Sequence, residues 1–380
     1  MEKTTVPTIA TMPTIMSSNI NFSPFIEPTD MMEHHICIFT GARPNFVKVA
    51  PIINAMRNTP GMNYLLVYAG REDDPTLEPS LFSDLQMPRP DAFLGVDCEN
   101  LNELTGQVMT TFEHYLDRHP VDTVIVVDDL ASTMAAAIVA KKRGLRLAHI
   151  VAGTRSFDIT MPKEINRLVI DGLSDLLFTA GVGASSIATR EGADHTKIYL
   201  VGNILMDTLR MNASRWQRPS CVPDGDYLVL TVNRRALMDD EARFFQLLDV
   251  IAAEASSLPV IAPLRGKAYR LVAQHGGLSV VNSLSYLEFG WLTSHARGII
   301  TDSGNVAEEA TFNHVPCITL NSYTEHIETV KQGTNVLVGE DAGRLREALR
   351  DMVAGRWKAS SLPDRWDGRT AERIVKICQL

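Results

Sequence analysis

Cysteine is scarce in this 380-residue sequence, and the cysteines that occur are not grouped. The five cysteines are scattered, none belongs to a CxxC pair, and none has a histidine at zinc-finger spacing. This pattern argues against a disulfide framework and a zinc-finger site, and it indicates reduced thiols in a cytoplasmic protein. No residue pattern requires a metal, and we predict no cofactor.

Long apolar runs and an excess of positive charge are also missing. No window approaches the roughly 20 unbroken apolar residues of a membrane helix, and residues 1–34 contain no apolar segment of signal-peptide length. The 36 basic and 45 acidic residues leave a formal net charge of −9, which argues against nucleic acid or a membrane as the main partner. The GxxxxGK[ST], GxSxG and HExxH motifs are absent as well.

What the sequence does contain is an alternation of short β-rich runs and helical patterns. Twelve such runs, from 36–40 to 335–338, predict an α/β protein whose parallel sheets are covered on both faces. The rhythm stops at a proline-containing stretch and restarts at Tyr227. We therefore predict a flexible extension (1–34), a Rossmann-like domain (35–207), a linker (208–226), a second Rossmann-like domain (227–365) and a C-terminal helix (366–380) that crosses back to the first domain. Two such domains place a ligand in the cleft between them.

A first phosphate-binding candidate is the turn that follows the first predicted strand. Gly41 allows the backbone to turn tightly, and the amides of the following helix start favour an anion. Arg43 adds a fork of hydrogen-bond donors for a phosphate. The alternative interpretation of this segment is a proline-initiated helix with a surface arginine.

A second candidate is the strand-to-helix turn at Ser303, Gly304 and Asn305. Its backbone amides and the serine hydroxyl can hold a diphosphate. Glu309 or Glu308, one turn later, is of the type that accepts hydrogen bonds from ribose hydroxyls. The alternative is a capped helix whose acidic residues complement its dipole.

Other charged residues also follow predicted strands. The adjacent acids at 128–129 indicate either a site or a helix cap. Four cations lie at strand ends in the second half, where a solvated surface is the alternative for each one. Together they favour a polyanion pocket built from Arg234, Arg235, Arg265 and Lys267.

From about residue 36 to residue 380, the chain resembles the non-hydrolysing UDP-N-acetylglucosamine 2-epimerase family. The resemblance implies a glycosyltransferase-B-like fold, a nucleotide-sugar ligand and a homodimer. Members of that family eliminate UDP across C1–C2 of the sugar and add it back after C2 inverts. The matching positions, in order, are 41–44, Asp129, 152–153, Glu164, 166–167, 202–203, 234–235, 302–304, 308–310, 324–325 and 333–334.

The resemblance implies roles for the residues that match the family's motifs, whereas other functional positions of the family are occupied by different residues. Arg43, Ser303 and Gly304 would hold the leaving diphosphate, Glu309 would bind the ribose, and Asp129 matches a catalytic carboxylate. Two family glutamates are replaced by Val151 and Lys163, and a family histidine is replaced by Asn233. Positions of the regulatory substrate site are occupied by Ala69, Gly70 and Arg265.

These replacements lead us to expect glycosyl transfer instead of epimerisation, because losing one acid/base group costs roughly 10²- to 10⁴-fold in rate. In this hypothesis a sugar diphosphate binds in the cleft, and its glycosyl group moves to a nitrogen or oxygen acceptor, with nucleoside-type compounds as one product class. Asp129 is the expected catalytic residue, with Glu164 as the second candidate. The expected substrate ligands are Arg43, Lys163, Asn233, Arg234, Arg235, Arg265, Ser303, Gly304, Asn305 and Glu309.

Two alternatives stay open at this point. One is a working UDP-N-acetylglucosamine 2-epimerase with relocated catalytic groups, which would carry solvent deuterium into C2 of its substrate. The other is a nucleotide-sugar-binding pseudoenzyme that acts as a sensor or partner subunit, which would bind a UDP-sugar without turnover.

Overall fold

Two separate sheets, both entirely parallel, organise the computed structural model, which describes residues 33–255 and 258–380. The strands of the first sheet are β1 (His34–Thr40), β2 (Met62–Tyr68), β3 (Ala92–Phe93), β4 (Thr123–Val127), β5 (Arg146–Ile150), β6 (Leu176–Thr179) and β7 (Ile198–Leu200). Those of the second are β8 (Leu228–Thr231), β9 (Val260–Pro263), β10 (Ser279–Val281), β11 (Gly298–Thr301), β12 (Cys317–Thr319) and β13 (Asn335–Leu337). Their spatial orders are β3-β2-β1-β4-β5-β6-β7 and β10-β9-β8-β11-β12-β13.

Helices connect most of the strands. In the first half they are α1 (Arg43–Arg57), α2 (Leu81–Asp84), α3 (Leu101–Arg118), α4 (Ala131–Lys142), α5 (Pro162–Leu173), α6 (Val182–Arg190) and α7 (Ile204–Asn212). In the second half they are α8 (Arg235–Asp239), α9 (Glu241–Ala255), α10 (Gly266–His275), α11 (Tyr286–Ser294), α12 (Gly304–Phe312), α13 (Ile327–Lys331), α14 (Ala342–Val353) and α15 (Thr370–Cys378). Within the described ranges, none of these helices has the length and apolarity needed to cross a bilayer.

The two faces of the first sheet bury different sets of side chains. Along β1, Ile36 and Ile38 belong to one apolar cluster, whereas Cys37 and Phe39 belong to another on the opposite face. This alternation follows from the two-residue period of a strand. Because both faces are covered, β4 is buried along its whole length, as is typical of a parallel sheet.

The predicted fold class, α/β with two Rossmann-like sheets, is confirmed. All twelve predicted strands are present, and the sequence missed only β3, which has two residues and no periodicity to detect. His34 belongs to β1 and not to the predicted extension (1–34), because it pairs in register with Met62. Residues 1–32 of that extension lie outside the described part of the chain.

The C-terminal helix packs on elements of the first half. Ala371 and Ile374 of α15 belong to the same apolar cluster as residues of α1 and α7. The Asp207 carboxylate on α7 accepts hydrogen bonds from the backbone N–H groups of Thr370 (3.0 Å) and Ala371 (2.7 Å). Helix α7 continues to Asn212, into the stretch predicted as a linker. The domain limits given above otherwise stay a prediction.

Candidate functional site

The carboxyl ends of strands from both sheets border one cavity of about 540 Å³. The first sheet contributes the segments that follow β1, β4 and β5, and the second contributes those that follow β8, β11 and β12. Parallel α/β sheets place ligands at this edge because the loops there converge on a common space. The cavity is therefore where the chemistry of this protein is expected.

Asp129, at the end of β4, is the central carboxylate on the first-sheet side. It accepts hydrogen bonds from Arg167 Nε (2.8 Å) and Nη2 (2.5 Å), and Lys163 Nζ lies 3.7 Å from its Oδ1 atom. Burial by itself would raise the pKa of Asp129, but the charges of Arg167 and Lys163 outweigh it and lower the pKa below the usual value. Asp129 is consequently ionised near neutral pH and able to accept a proton.

Arg167 joins the two sides of the cavity. Besides Asp129, its guanidinium binds Glu325 through two hydrogen bonds of 2.7 and 2.6 Å, and it contacts Glu164 at 3.3 Å. Glu325 belongs to the loop after β12 of the second sheet, whereas Arg167 lies on α5 of the first half. A planar fork of donors suits this double carboxylate pairing.

A second buried ion pair lies beside Asp129. Lys48 Nζ is 2.5 Å from Asp128 Oδ1, and Asn45 Nδ2 donates to Asp128 Oδ2 at 2.8 Å. We did not identify Lys48 from the sequence. The signal was available, because Lys48 is the one charged residue in the otherwise apolar stretch 46–53 of α1.

His149 also lines the cavity, but both of its ring nitrogens are engaged. Nδ1 is 2.6 Å from Asp171 Oδ1, and Nε2 is 2.9 Å from the Asp128 carbonyl oxygen. With both nitrogens engaged, His149 has none left to bind a ligand, and it fixes the position of the loop after β4.

The second-sheet side presents the beginning of α12. Ser303, Gly304 and Asn305 line the cavity there, where the N–H groups of a helix start have no intrahelical partners and the helix dipole favours an anion. Asp302 lies just before them and accepts hydrogen bonds from the N–H groups of Asn233 (2.8 Å) and Arg234 (2.7 Å). The helix start is thus fixed against the loop after β8.

His326, in the loop after β12, adds an imidazole to this side of the cavity. Its Nδ1 atom is 2.7 Å from Glu308 Oε1, and Asn203 Nδ2 donates to the same oxygen at 2.7 Å. Burial would lower the pKa of His326, but the charge and hydrogen bond of Glu308 outweigh burial and raise it above the usual value. We did not identify His326 from the sequence, because nothing along the chain links it to Glu308.

A smaller cavity of about 280 Å³ adjoins the first, and Ser303 and Asn305 border both. Glu309 lines it, and burial, with the charge of Glu308 as a second cause, raises the pKa of Glu309 to about 8. The buried hydroxyl of Tyr286, on the same cavity, has no hydrogen-bond partner among the described residues. Buried polar groups are normally paired, so this cavity is suited to a ligand that supplies hydroxyls.

The two cavities bring together nine of the twelve predicted site residues. The large one is lined by Asp129, Lys163, Arg234, Ser303, Gly304 and Asn305, and the small one by Arg43, Arg265 and Glu309, besides Ser303 and Asn305. Glu164, Asn233 and Arg235 border neither.

Each of the three exceptions has a visible reason. The buried Glu164 carboxylate accepts hydrogen bonds from the Ser156 N–H and hydroxyl, both at 2.9 Å, so it holds a loop. Both other residues are exposed: Asn233 lies on the loop after β8, and Arg235 is the first residue of α8. The polyanion pocket predicted from four cations is also not assembled, since Lys267 pairs with Asp239 at 2.9 Å and does not border either cavity.

Residues 54–379 match a family model described as UDP-N-acetylglucosamine 2-epimerase. This chain belongs to the UDP-N-acetylglucosamine 2-epimerase family. The predicted resemblance is thereby confirmed over nearly the whole described chain, and with it the glycosyltransferase-B-like fold of two Rossmann-like units.

Similar proteins point to one type of reaction. The UDP-N-acetylglucosamine 2-epimerase of Methanocaldococcus jannaschii is 32% identical over 363 residues, covering 90% of this chain and 98% of that protein. The UDP-2,3-diacetamido-2,3-dideoxy-D-glucuronate 2-epimerase of Pseudomonas aeruginosa is 31% identical, covering 84% and 90%. A crystal structure of the M. jannaschii enzyme in complex with UDP-GlcNAc and UDP superposes with a TM-score of 0.79 at 30% identity, covering 90% of this chain and 99% of that one.

The expectation of glycosyl transfer is therefore wrong. Relatives that match almost end to end are 2-epimerases, and one of them has been crystallised with UDP-GlcNAc. We had assumed that the cations are free to bind phosphate. We had also assumed that replacement of the family's acidic residues removes the acid/base chemistry. In the structure Arg43 is paired with Glu78 and Arg234 with Glu340, and the cavity keeps titratable groups, Asp129 and His326 among them.

Proposed function

We propose that this chain is a 2-epimerase of UDP-activated 2-acetamido sugars and that it interconverts UDP-N-acetylglucosamine and UDP-N-acetylmannosamine. The observation that carries the proposal is the shared cavity. The ionised carboxylate of Asp129, on the first-sheet side, and the start of α12, on the second-sheet side, border the same space in a chain of this family. Such a cavity has room for a sugar between a proton acceptor and a leaving diphosphate.

The nucleoside half of the substrate fits the smaller cavity. Glu309 would accept hydrogen bonds from the ribose hydroxyls, and the Tyr286 hydroxyl, which lacks a partner among the described residues, would gain one. The diphosphate would then lie at Ser303, which borders both cavities, and at Gly304 of the larger one. Arg43 also lines the smaller cavity, where its guanidinium is paired with Glu78.

The sugar half fits the larger cavity, beside Asp129. The carboxylate of Asp129 takes the proton from C2, the electron pair of the C2–H bond forms the C1=C2 double bond, and the C1–O bond breaks with its electrons on UDP. Addition of UDP to C1 and of a proton from solvent water to the opposite face of C2 regenerates a UDP-sugar with C2 inverted, and Asp129 releases its proton to solvent. The low pKa of Asp129 keeps it in the form that accepts the proton.

Solvent exchange tests this proposal directly. The full chain is incubated with UDP-N-acetylglucosamine in D₂O and followed by proton NMR, with UDP-2,3-diacetamido-2,3-dideoxyglucuronate as a second substrate. We expect UDP-N-acetylmannosamine to form and deuterium to replace hydrogen at C2, because the proton held by the enzyme exchanges with solvent. Absence of both exchange and epimer with either substrate would contradict the proposal.

The binding of UMP is expected to strengthen as the pH rises from about 7 to about 9. Ribose hydroxyls donate to the ionised form of Glu309, whose pKa in the free protein is about 8. Below that pH, binding must release a proton, and the association constant falls by up to about tenfold per pH unit. Calorimetry in buffers of different ionisation enthalpy measures both the affinity and the proton released.

Glu309→Gln provides the matched comparison, because glutamine keeps the shape and has no charge to titrate. The variant should bind UMP with little pH dependence over the same range. Its free energy of unfolding should exceed that of the wild type at about pH 9, where the buried carboxylate is ionised, and the difference should shrink as the pH falls below about 8. An unchanged pH profile in Glu309→Gln would show that another group is responsible.

The homodimer implied by the family resemblance stays a prediction. Light scattering on the full chain tests it, and the expected mass is about twice that of one chain. A mass of one chain at micromolar concentration would contradict it.

A further inference from the structure

The His326 ring lies directly against the anion-binding helix start. A Cβ atom placed on Gly304 would be 3.0 Å from His326 Cδ2 and 3.2 Å from Nε2. Gly304 therefore leaves space that the imidazole occupies, and the ring edge that carries Nε2 lies beside the first residue of α12. Both residues border the large cavity.

The two ring nitrogens of His326 differ in their surroundings. Nδ1 is bound to Glu308, which is itself 3% exposed and held by Asn203. No hydrogen bond connects Nε2 to any residue in the described ranges. His149 offers the internal contrast, because both of its nitrogens are engaged. One imidazole in this cavity is thus saturated, and the other keeps one nitrogen available to a ligand.

We propose that His326, held by Glu308, is the proton donor to the departing diphosphate, with Nε2 contacting an oxygen of the β-phosphate. This inference rests on the proposed function. In this inference His326, after a strand of the second sheet, assists the departure of UDP. Asp129, after a strand of the first sheet, takes the proton from C2.

The proton balance of the elimination is simple. The imidazolium gives its Nε2 proton to the diphosphate oxygen as the C1–O bond breaks, and Asp129 receives the C2 proton, so the products are neutral His326, protonated Asp129, the unsaturated sugar and protonated UDP. The proton returns to Nε2 when UDP adds back to C1. Glu308 exchanges no proton in this step; it contacts Nδ1 and stabilises the imidazolium.

The charges around His326 favour its protonated form. Glu308 on α12 and Glu325, in the same loop as His326, raise the pKa of His326. Burial and the ammonium of Lys48 on α1 lower it, and the net effect is a raised pKa. Lys48 is partly neutralised by Asp128, 2.5 Å away. A diphosphate placed beside Nε2 would raise the pKa further, because an added negative charge stabilises the imidazolium.

A histidine titration by NMR tests the contact with the β-phosphate. The full chain is labelled with ¹⁵N-histidine, and the signal of His326 among the ten histidines is assigned by its loss in His326→Asn. We expect saturating UDP to raise the pKa of His326 by about one unit or more, and UMP, which lacks the β-phosphate, to raise it much less. Equal effects of UDP and UMP, or none, would overturn the inference.

This result can be separated from the outcome of the epimerase assay. If UDP shifts His326 but no UDP-sugar is epimerised, the contact stands and the proposed function fails. If epimerisation occurs and UDP does not shift the pKa of His326 more than UMP does, the proposed function stands and this inference fails. A crystal structure of the UDP complex gives a second, variant-independent measurement, with an expected distance of about 3 Å between Nε2 and a β-phosphate oxygen.

Kinetics of His326→Asn supply the readout that a structural role would not change. We expect turnover to fall by about 10²-fold or more and the alkaline limb of the wild-type pH profile to disappear, because asparagine has no proton to lose. His119→Asn is the matched control at an exposed position outside both cavities, and it should leave turnover and pH profile unchanged. Retention of the alkaline limb in His326→Asn would contradict the assignment.

Discussion

Asp129→Asn is expected to lower the turnover of UDP-sugar epimerisation by about 10²- to 10⁴-fold while leaving the protein folded. Asparagine has the same shape as aspartate but cannot take the C2 proton. The variant should still bind UDP, because the helix start at Ser303 and Gly304 is untouched. Initial rates by NMR, UDP affinity by calorimetry and thermal melting together separate a catalytic loss from a folding defect.

Asp117→Asn is the matched control for this substitution. Asp117 has a side chain that is 55% exposed, pairs with Arg143 on the surface and lies on neither cavity. Its replacement should change neither turnover nor UDP affinity. If Asp129→Asn kept more than about a tenth of the wild-type rate, the assignment of Asp129 as the proton acceptor would be wrong.

Arg167→Met is expected to destabilise the protein by about 3–5 kcal/mol. The guanidinium is 5% exposed and binds Asp129 and Glu325, whose side chains are 13% and 21% exposed. Removing it leaves carboxylates near one another without a compensating charge, and it breaks a contact between the two halves of the molecule. Urea unfolding of the ligand-free protein measures the loss.

Two comparisons make that prediction specific. Arg143→Met removes a surface arginine whose partners are 44% and 55% exposed, and it should cost about 1 kcal/mol or less. Adding Glu325→Gln to Arg167→Met should recover part of the lost stability, because one unpaired acid is removed. Equal losses for Arg167→Met and Arg143→Met would show that the central ion pairs contribute little.

The strands were predictable because their signal is local. A buried parallel strand such as β4 is a continuous apolar run, and Asp128 follows it directly. Strand β3 has two residues and pairs with the end of β2, so its existence depends on a neighbour distant along the chain. No pattern in the sequence could have marked it.

The site was predictable only where a residue follows a strand. Asp129, Ser303 and Gly304 could be selected because parallel strands bring their carboxyl ends to one edge. Partners were not predictable: Glu308 and His326, 18 positions apart, form one ion pair, and so do Arg167 and Glu325 across 158 residues. The wrong expectation of glycosyl transfer has the same cause, because roles were inferred from residue types without knowledge of their ion-pair partners.

The sequence by itself determined the two α/β halves, the family and the positions of the turns that border the cleft, because hydrophobic periodicity and short motifs record those properties locally. The tertiary structure alone decided which charges are neutralised and which groups face a ligand. Packing brings Arg43 to Glu78, Lys48 to Asp128 and His326 to Glu308. The protonation state of each group depends on burial and on charges within a few ångströms, and those distances exist only once the chain is folded.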